Sequence, residues 1–154
     1  MSTTATAVDG QQSTDPADVV RGFLLALEAG ELDRALALLA DDVVYTNVSL
    51  PTIRGRARVD RLFRPAYEKL GGGFRVHFQT VAADGNTVLT ERTDALIFGP
   101  VEVRVWVYGR FEIEAGRITV WRDSFDWLDF SVGLIRGLLG AVRPSLNRPW
   151  PSGG

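Results

Sequence analysis

Apolar residues recur at helical spacing in four stretches of the chain. The first stretch begins at the Asp15-Pro16 pair, which suits an N-cap and first turn, and it ends at Gly30. The second runs from Glu31 to Leu39, and the third has apolar residues between Val59 and Leu70 before three glycines stop it. The fourth runs from Trp127 to Leu139 and is expected to cap the sheet. The pattern predicts three helices in the N-terminal half and one C-terminal helix.

Strand-like alternation occupies most of the remaining chain. A β-branched stretch from Val43 to Val48 predicts the first strand, and the segment from Phe74 to Trp127 has the pattern of four long strands. Short turn signals at positions 84–86, 99–100 and 114–116 imply that these four strands form an antiparallel meander. We therefore expect one α+β domain over residues 15–143, with helices on one face of a curved antiparallel or mixed sheet. Residues 1–14 are expected to be a disordered tail and residues 144–154 a Pro-rich tail.

The composition is that of a soluble globular domain and argues against several classes of protein. Of the 154 residues, 45% are hydrophobic and 23% are charged, which is usual for a packed domain. A formal net charge of −2, with no dense run of Lys and Arg, argues against a nucleic-acid partner. The lack of cysteine excludes disulfides, thiolate zinc sites and cysteine nucleophiles. Since neither a signal peptide nor a membrane span is recognisable, we expect a cytoplasmic protein.

Two charged residues interrupt an apolar register in the strand predicted over positions 87–98. Alternate residues of a strand share a face, so Arg92 and Asp94 lie on the same face as Leu96 and Phe98. Arg92 and Asp94 should be about 7 Å apart along this strand. The pattern predicts a charged pair beside large apolar groups.

A carboxylate and two further polar groups occupy comparable positions in other strands. In the strand predicted over 117–127, Asp123 shares a face with Trp121, Phe125 and Trp127, where an unpaired carboxylate would be costly. In the first strand a phenol and an amide share a face and can hold a small polar molecule. These two residues are Tyr45 and Asn47.

The charges of this predicted cluster balance only if one proton is shared. Two ionised carboxylates around one guanidinium leave a net negative charge in a dry pocket, whereas one shared proton makes the triad neutral. One carboxylate would then be ionised and the other protonated near neutral pH, which supplies a general base and a general acid on either side of Arg92. The alternative interpretation is a buried Asp-Arg-Asp bridge that only stabilises the fold.

Three separated motifs carry a family resemblance. They are Tyr45-Thr46-Asn47 with Leu50-Pro51, then Glu91-Arg92-Thr93-Asp94, and then Trp121-Arg122-Asp123-Ser124-Phe125-Asp126. Their order and spacing resemble the limonene-1,2-epoxide hydrolases from about Asp15 to about Phe130. The resemblance implies an NTF2-like cone fold, usually a homodimer, with a deep apolar pocket that has the polar cluster at its floor. It also implies that neither a metal nor a cofactor is used.

The resemblance further implies a role for each residue of the cluster. Asp123 would be the base that activates water, Asp94 the acid, and Arg92 the residue that bridges them. Tyr45 and Asn47 would hold the attacking water together with Asp123. The expected pocket wall comprises Trp121, Phe125, Leu96, Phe98 and Leu50. The implied reaction adds water to a lipophilic epoxide of terpene, fatty-acid or sterol type and gives a vicinal diol in one concerted step.

Other functions use the same cluster differently. An internal hydroxyl could open the epoxide, as in a cyclase, or Asp123 could move a proton, as in ketosteroid isomerases. A non-catalytic NTF2-like carrier of a hydrophobic ligand is a third alternative, although such a carrier would not need the charged triad.

Three surface predictions follow from the alternation and from the final helix. We expect His77 to be solvent-exposed and the last helix to pack over the mouth of the pocket. The even-numbered positions of the strand over 101–113 mix charge with aromatic area, and they are a candidate homodimer contact. These positions are Glu102, Arg104, Trp106 and Tyr108.

Overall fold

A computed structural model describes residues 15–152 of the chain. Within this range the helices are α1 (Pro16–Glu28), α2 (Leu32–Ala37), α3 (Arg56–Lys69) and α4 (Trp127–Val142), followed by a 3-10 turn at Pro144–Leu146. The strands are β1 (Leu39–Asn47), β2 (Ile53–Arg54), β3 (Gly72–Asp84), β4 (Thr87–Phe98), β5 (Val101–Glu114) and β6 (Arg117–Ser124). The tail predicted at residues 1–14 lies outside the described residues. None of the helices in residues 15–152 is long and apolar enough to cross a membrane.

Helix α1 forms where the sequence pattern predicts it. The Asp15 side chain accepts a hydrogen bond of 2.8 Å from the backbone N–H of Ala17 and so caps the first turn. Gly30 follows the helix with a φ of 73°, a left-handed conformation that glycine adopts without strain. The apolar stripe of α1 is buried against the sheet, and it consists of Val19, Val20, Phe23, Leu24 and Leu27. Both predicted ends of this helix are confirmed.

The sheet is mixed, and its strand order is β2-β1-β6-β5-β4-β3. Strands β3 to β6 form the antiparallel meander that the short turns predict. Strand β1 instead pairs in parallel with β6, so that Tyr45 lies opposite Trp121 and Asn47 opposite Asp123. This pairing joins segments about 75 residues apart and has no local signal in the sequence. It places the polar residues of the first strand next to those of the last.

The start of the sheet differs from its predicted position. Helix α2 ends at Ala37, and β1 begins at Leu39 instead of Val43, because Leu39 already pairs with Ile118 of β6. Tertiary pairing therefore overrides the helical spacing at this junction. The two-residue strand Ile53–Arg54 pairs with β1 and was not predicted, since it lies in the loop after a proline.

The end of β6 also differs from its predicted position. The strand stops at Ser124, and Trp127 belongs to α4 instead of continuing the alternation. The Asp126 side chain accepts a hydrogen bond of 2.8 Å from the backbone N–H of Asp129, and this N-cap starts the helix. The interpretation of Trp127 as a strand neighbour of Asp123 is therefore wrong.

Helix α4 covers the edge of β5 that β6 leaves unpaired. Pairing between β5 and β6 stops at Tyr108, so the backbone groups on that edge of residues 101–107 need other partners. The Trp106 N–H donates to the Asp129 side chain at 3.3 Å. Gly133 and Gly137 let the helix lie close, because a Cβ at either position would come within 2.6 Å of a β5 carbonyl oxygen. The fourth helix thus caps the sheet, as the sequence predicts.

The C-terminal segment covers part of the outer face of β5. The Trp150 ring lies 5.8 Å from the Arg104 guanidinium and 6.4 Å from the His77 ring. His77 is therefore partly buried rather than solvent-exposed as predicted. Trp106 and Tyr108 remain 48% and 49% exposed. The C-terminal segment therefore covers the Arg104 end of the candidate homodimer contact and leaves Trp106 and Tyr108 exposed. The homodimer stays a prediction.

Candidate active site

Arg92 joins two acidic side chains into one buried cluster. It extends from β4, its side chain is fully buried, and its Nε donates to both carboxylate oxygens of Asp94, at 2.9 and 3.1 Å. Its Nη2 lies 2.7 Å from Oδ2 of Asp123 on β6. The guanidinium spans the width of β5, which separates β4 from β6 in the sheet. The three residues of the predicted triad therefore form one hydrogen-bonded unit.

Asp123 has one carboxylate oxygen that is satisfied and one that is not. Oδ2 accepts hydrogen bonds from Arg92 and from the indole Nε1 of Trp121, the latter at 2.9 Å. Oδ1 is buried and has no hydrogen-bond partner within residues 15–152. An unsatisfied buried carboxylate oxygen is costly, so its position indicates a place for a bound polar molecule. Oδ1 is thus available to accept a hydrogen bond from a bound molecule.

Tyr45 and Asn47 lie beside the triad on β1. Asn47 Nδ2 donates to the Tyr45 hydroxyl at 2.6 Å, and the Tyr45 ring lies 4.1 Å from the Trp121 ring. Burial, and next to it the negative charge of Asp123, raise the pKa of Tyr45 well above its usual range. The hydroxyl therefore stays protonated and can donate its own hydrogen to a bound molecule.

Asp94 is the carboxyl group of the triad whose pKa is raised toward neutral pH. Burial is the largest cause that raises its pKa, Arg92 opposes this effect and Asp123 adds to it, and the pKa is raised to about 7. For Arg92, burial alone would lower the pKa, but the charges of Asp123 and Asp94 outweigh burial and raise it. The guanidinium therefore stays charged. These directions support the prediction that the triad shares one proton.

The triad contributes polar groups to the wall of an apolar cavity of about 350 Å³. The five predicted polar residues all line this cavity, namely Tyr45, Asn47, Arg92, Asp94 and Asp123. The five residues expected in the pocket wall line it as well, namely Trp121, Phe125, Leu96, Phe98 and Leu50. The structure therefore brings all ten predicted site residues together around one space.

Part of the site was not identified from the sequence. Helices α1 and α3, strand β5 and the first turn of α4 supply further wall residues, which include Leu27, Phe63, Tyr67, Val105, Val107, Trp127 and Phe130. These residues belong to predicted apolar stripes, but a stripe does not distinguish a residue that faces a cavity from one that faces the core. Only the first turn of α4 borders the cavity, because the rest of the helix lies along β5. The first turn of this helix therefore lines the cavity, and the expectation that the helix covers the pocket mouth stays a prediction.

The chain is similar to proteins of one enzyme family over most of its length. Residues 14–136 match the family model of the limonene-1,2-epoxide hydrolase (LEH) catalytic domain. The chain is 49% identical over 128 residues to epoxide hydrolase EphG of Mycobacterium tuberculosis strain H37Rv. The matched region covers 83% of this chain and 85% of EphG.

Solved structures are similar over most of the chain. An LEH-like epoxide hydrolase of M. tuberculosis superposes with a TM-score of 0.82 at 46% identity. The superposed region covers 90% of this chain and 97% of the M. tuberculosis chain. An NTF2-like protein of unknown function from Burkholderia pseudomallei has a TM-score of 0.67 at 20% identity, with coverage of 80% and 98%, and this likeness shows the fold alone. The predicted NTF2-like α+β fold is confirmed, with an open six-stranded sheet. Because the family model spans most of the chain and a relative that is 49% identical covers 83% of it, the chain belongs to the limonene-1,2-epoxide hydrolase family.

Proposed function

We propose that this protein is an epoxide hydrolase that adds water to a lipophilic epoxide and forms a vicinal diol. The observation that carries the proposal is the buried, unpartnered Oδ1 of Asp123 beside a protonatable Asp94 in an apolar cavity. A base and an acid held on one guanidinium fit a reaction that needs both at once. Both M. tuberculosis relatives are named as epoxide hydrolases, which supports the same activity.

Asp123 acts in this proposal as the base for the attacking water. Its Oδ2 is held by two donors, so Oδ1 is the atom that takes the proton of the water. The Tyr45 hydroxyl, which accepts from Asn47, donates to the water oxygen, and the Asn47 amide oxygen accepts the second hydrogen. Three groups then fix the direction of the lone pair that attacks carbon.

Asp94 acts as the acid on the departing oxygen. The C–O bond of the epoxide breaks as water attacks the carbon, and Asp94 gives its proton to the oxygen that would otherwise become an alkoxide. One proton leaves Asp94 and one arrives on Asp123, so the number of protons in the triad does not change. Arg92 contacts both carboxyl groups and stabilises the charge as it moves from one to the other.

The apolar cavity determines the class of substrate in this proposal. Its wall is dominated by aliphatic and aromatic side chains, and the polar groups are confined to the triad and its neighbours. Apolar surface of a substrate is favourably removed from water in such a cavity, while the epoxide oxygen is the one polar atom that needs a partner. A lipophilic epoxide satisfies both conditions.

The proposal is tested by incubating the purified protein with a panel of lipophilic epoxides in ¹⁸O-labelled water. We expect diols that carry one labelled oxygen, at rates above those of the protein-free reaction. A product that carries no label would indicate cyclisation or isomerisation, and binding of the epoxides without turnover would indicate a carrier. Either result would contradict the proposed hydrolysis.

The pH dependence of the reaction provides a second test. Asp94 must be protonated to act as an acid, and its pKa is about 7, so kcat/KM should fall as the pH rises through about 7. The folded-state pKa of Asp94 is raised, so its contribution to stability is complete at low pH and is lost as the pH rises toward 7. Rates from pH 5 to 9, corrected for spontaneous hydrolysis, check the first statement, and denaturant unfolding checks the second. A rate that stays constant up to pH 9 would exclude Asp94 as the acid.

A further inference from the structure

The guanidinium of Arg92 has a third buried acceptor besides the two carboxylates. Its Nη1 donates to Oγ1 of Thr90 at 2.9 Å. Thr90 lies two residues before Arg92 on the same face of β4, and it is 3% exposed. Thr90 is not among the described residues that line the apolar cavity. Its hydroxyl therefore contacts the triad without touching the space that a substrate would occupy.

A glycine provides the room for this third contact. Gly109 of β5 lies between Thr90 of β4 and Asp123 of β6 in the strand register. A Cβ built on Gly109 would overlap Arg92 Nη1 and approach Thr90 Oγ1 to 2.5 Å. The φ of Gly109 is not positive, so the reason for glycine is space and not backbone conformation. The guanidinium thus lies over a strand position where no side chain fits.

From these contacts we infer that Thr90 and Gly109 are positioning residues of the active site, which hold the Arg92 guanidinium in the plane where it meets both carboxyl groups. The inference rests on the proposed epoxide hydrolysis. Thr90 anchors Nη1, and Gly109 leaves the depth that the guanidinium needs. Arg92 can then direct Nε to Asp94 and Nη2 to Asp123 at the same time.

The chemistry of Thr90 suits this role better than that of a third acid. In the proposed function the triad is neutral, with one cation, one carboxylate and one protonated carboxyl group, and another acid would add a buried negative charge. A hydroxyl accepts from the guanidinium and leaves the charge balance unchanged. If Nη1 lost this acceptor, a buried N–H of a cation would have no partner, and the side chain would shift away from the carboxylates to find one.

The test compares Thr90→Val, which keeps the shape but removes the hydroxyl, with Thr90→Ser, which keeps the hydroxyl. We expect Thr90→Val to lower kcat about tenfold with little change in KM, because Thr90 does not line the cavity. Thr90→Ser should restore most of this loss. Equal activity of Thr90→Val and wild type, or equal losses in both variants, would overturn the inference.

A second readout does not depend on turnover. The charged groups around Asp94 are Arg92 on its own strand and Asp123 on β6, with the Tyr45 hydroxyl on β1. Since Arg92 lowers the pKa of Asp94, a loosened guanidinium should raise it, and carboxyl ¹³C NMR would show this rise in Thr90→Val but not in Thr90→Ser. An unchanged titration of Asp94 in Thr90→Val would overturn the positioning role. If the wild type hydrolysed no epoxide, the proposed function would fail, and the NMR titration would still decide the inference.

Gly109→Ala provides an independent variant of the same contact. The added methyl group should displace the guanidinium, raise the pKa of Asp94 and lower kcat by more than Thr90→Val does. Gly22→Ala is the matched control, because a Cβ there meets only Leu38 Cδ1 at an ordinary 3.8 Å. Thermal unfolding of both variants separates a loss of fold from a loss of position. A folded Gly109→Ala protein with wild-type kcat and wild-type Asp94 titration would contradict the role of Gly109.

Discussion

Replacing Asp123 by asparagine should lower kcat/KM for epoxide hydrolysis by about 10³-fold or more while the protein stays folded. The amide has nearly the same shape as the carboxylate, but it cannot take a proton from water. The atom that is lost as a base is Oδ1, which is buried and has no other partner within residues 15–152. The amide oxygen of the new asparagine can occupy the position of Oδ2. There it still accepts hydrogen bonds from Arg92 and Trp121, so the surrounding packing is preserved.

Asp123→Asn should also remove the proton of Asp94, the proposed acid. The loss of rate should therefore be larger than the loss caused by removing the base alone. The charge of Asp123 raises the pKa of Asp94, so its removal should lower that pKa and leave Asp94 ionised beside Arg92 at neutral pH. The cluster remains neutral, with one cation and one carboxylate, which is why we expect it to fold. The ¹³C titration of Asp94 checks the shift, and diol formation measured by mass spectrometry checks the rate.

Asp126→Asn is a matched control for this experiment. Asp126 is an exposed residue that caps α4 through the backbone N–H of Asp129. Asparagine is an equally good N-cap, so this variant should keep both stability and activity. If Asp123→Asn hydrolysed epoxides as fast as Asp126→Asn, Asp123 could not be the base.

Replacing Arg92 by glutamine should remove activity and destabilise the fold together. The variant leaves Asp94 and Asp123 buried at 6% exposure each without their cation, and losing one partner of a buried ion pair costs about 3 to 5 kcal/mol. The pKa of Asp94 should rise further, because Arg92 is the group that lowers it. A folded-state pKa above the unfolded value makes stability fall as the pH rises, so the destabilisation should be larger at pH 8 than at pH 5.

The experiment measures unfolding by denaturant at both pH values, together with diol formation and epoxide binding. Arg110→Gln is the control, because Arg110 pairs with Glu112 on the surface at 45% side-chain exposure, where ion pairs contribute little. Arg92→Gln with the stability and rate of Arg110→Gln would contradict the role of the triad. Intact epoxide binding by Arg92→Gln, in a protein whose wild type does not turn over, would instead favour the carrier function.

Much of the site follows from local periodicity in the sequence. Side chains alternate across a strand, so Arg92 and Asp94 had to share a face, and Asp123 had to share one with Trp121. Charge counting then predicts a shared proton, and the raised pKa of Asp94 agrees with it. The caps of α1 and the turns of the meander could likewise be predicted from the sequence, because each depends on a few adjacent residues.

Other features depend on contacts between distant segments and have no local signal. The parallel pairing of β1 with β6 brings Asn47 opposite Asp123, and the register of β5 places Gly109 beneath the Arg92 guanidinium. Trp127 shows the same limit. The strand ends at Ser124, and the N-cap at Asp126 starts a helix, so Trp127 lies in the first turn of α4 instead of continuing the strand alternation.

The sequence by itself determined which side chains share a face of each element, because that depends only on the repeat of helix and strand. The tertiary structure alone decided which faces meet across the sheet, how much room the guanidinium has, and which carboxylate oxygen is left without a partner. The physical reason is that hydrogen-bond satisfaction and close packing are properties of the assembled neighbours, and those neighbours come from strands far apart in the chain.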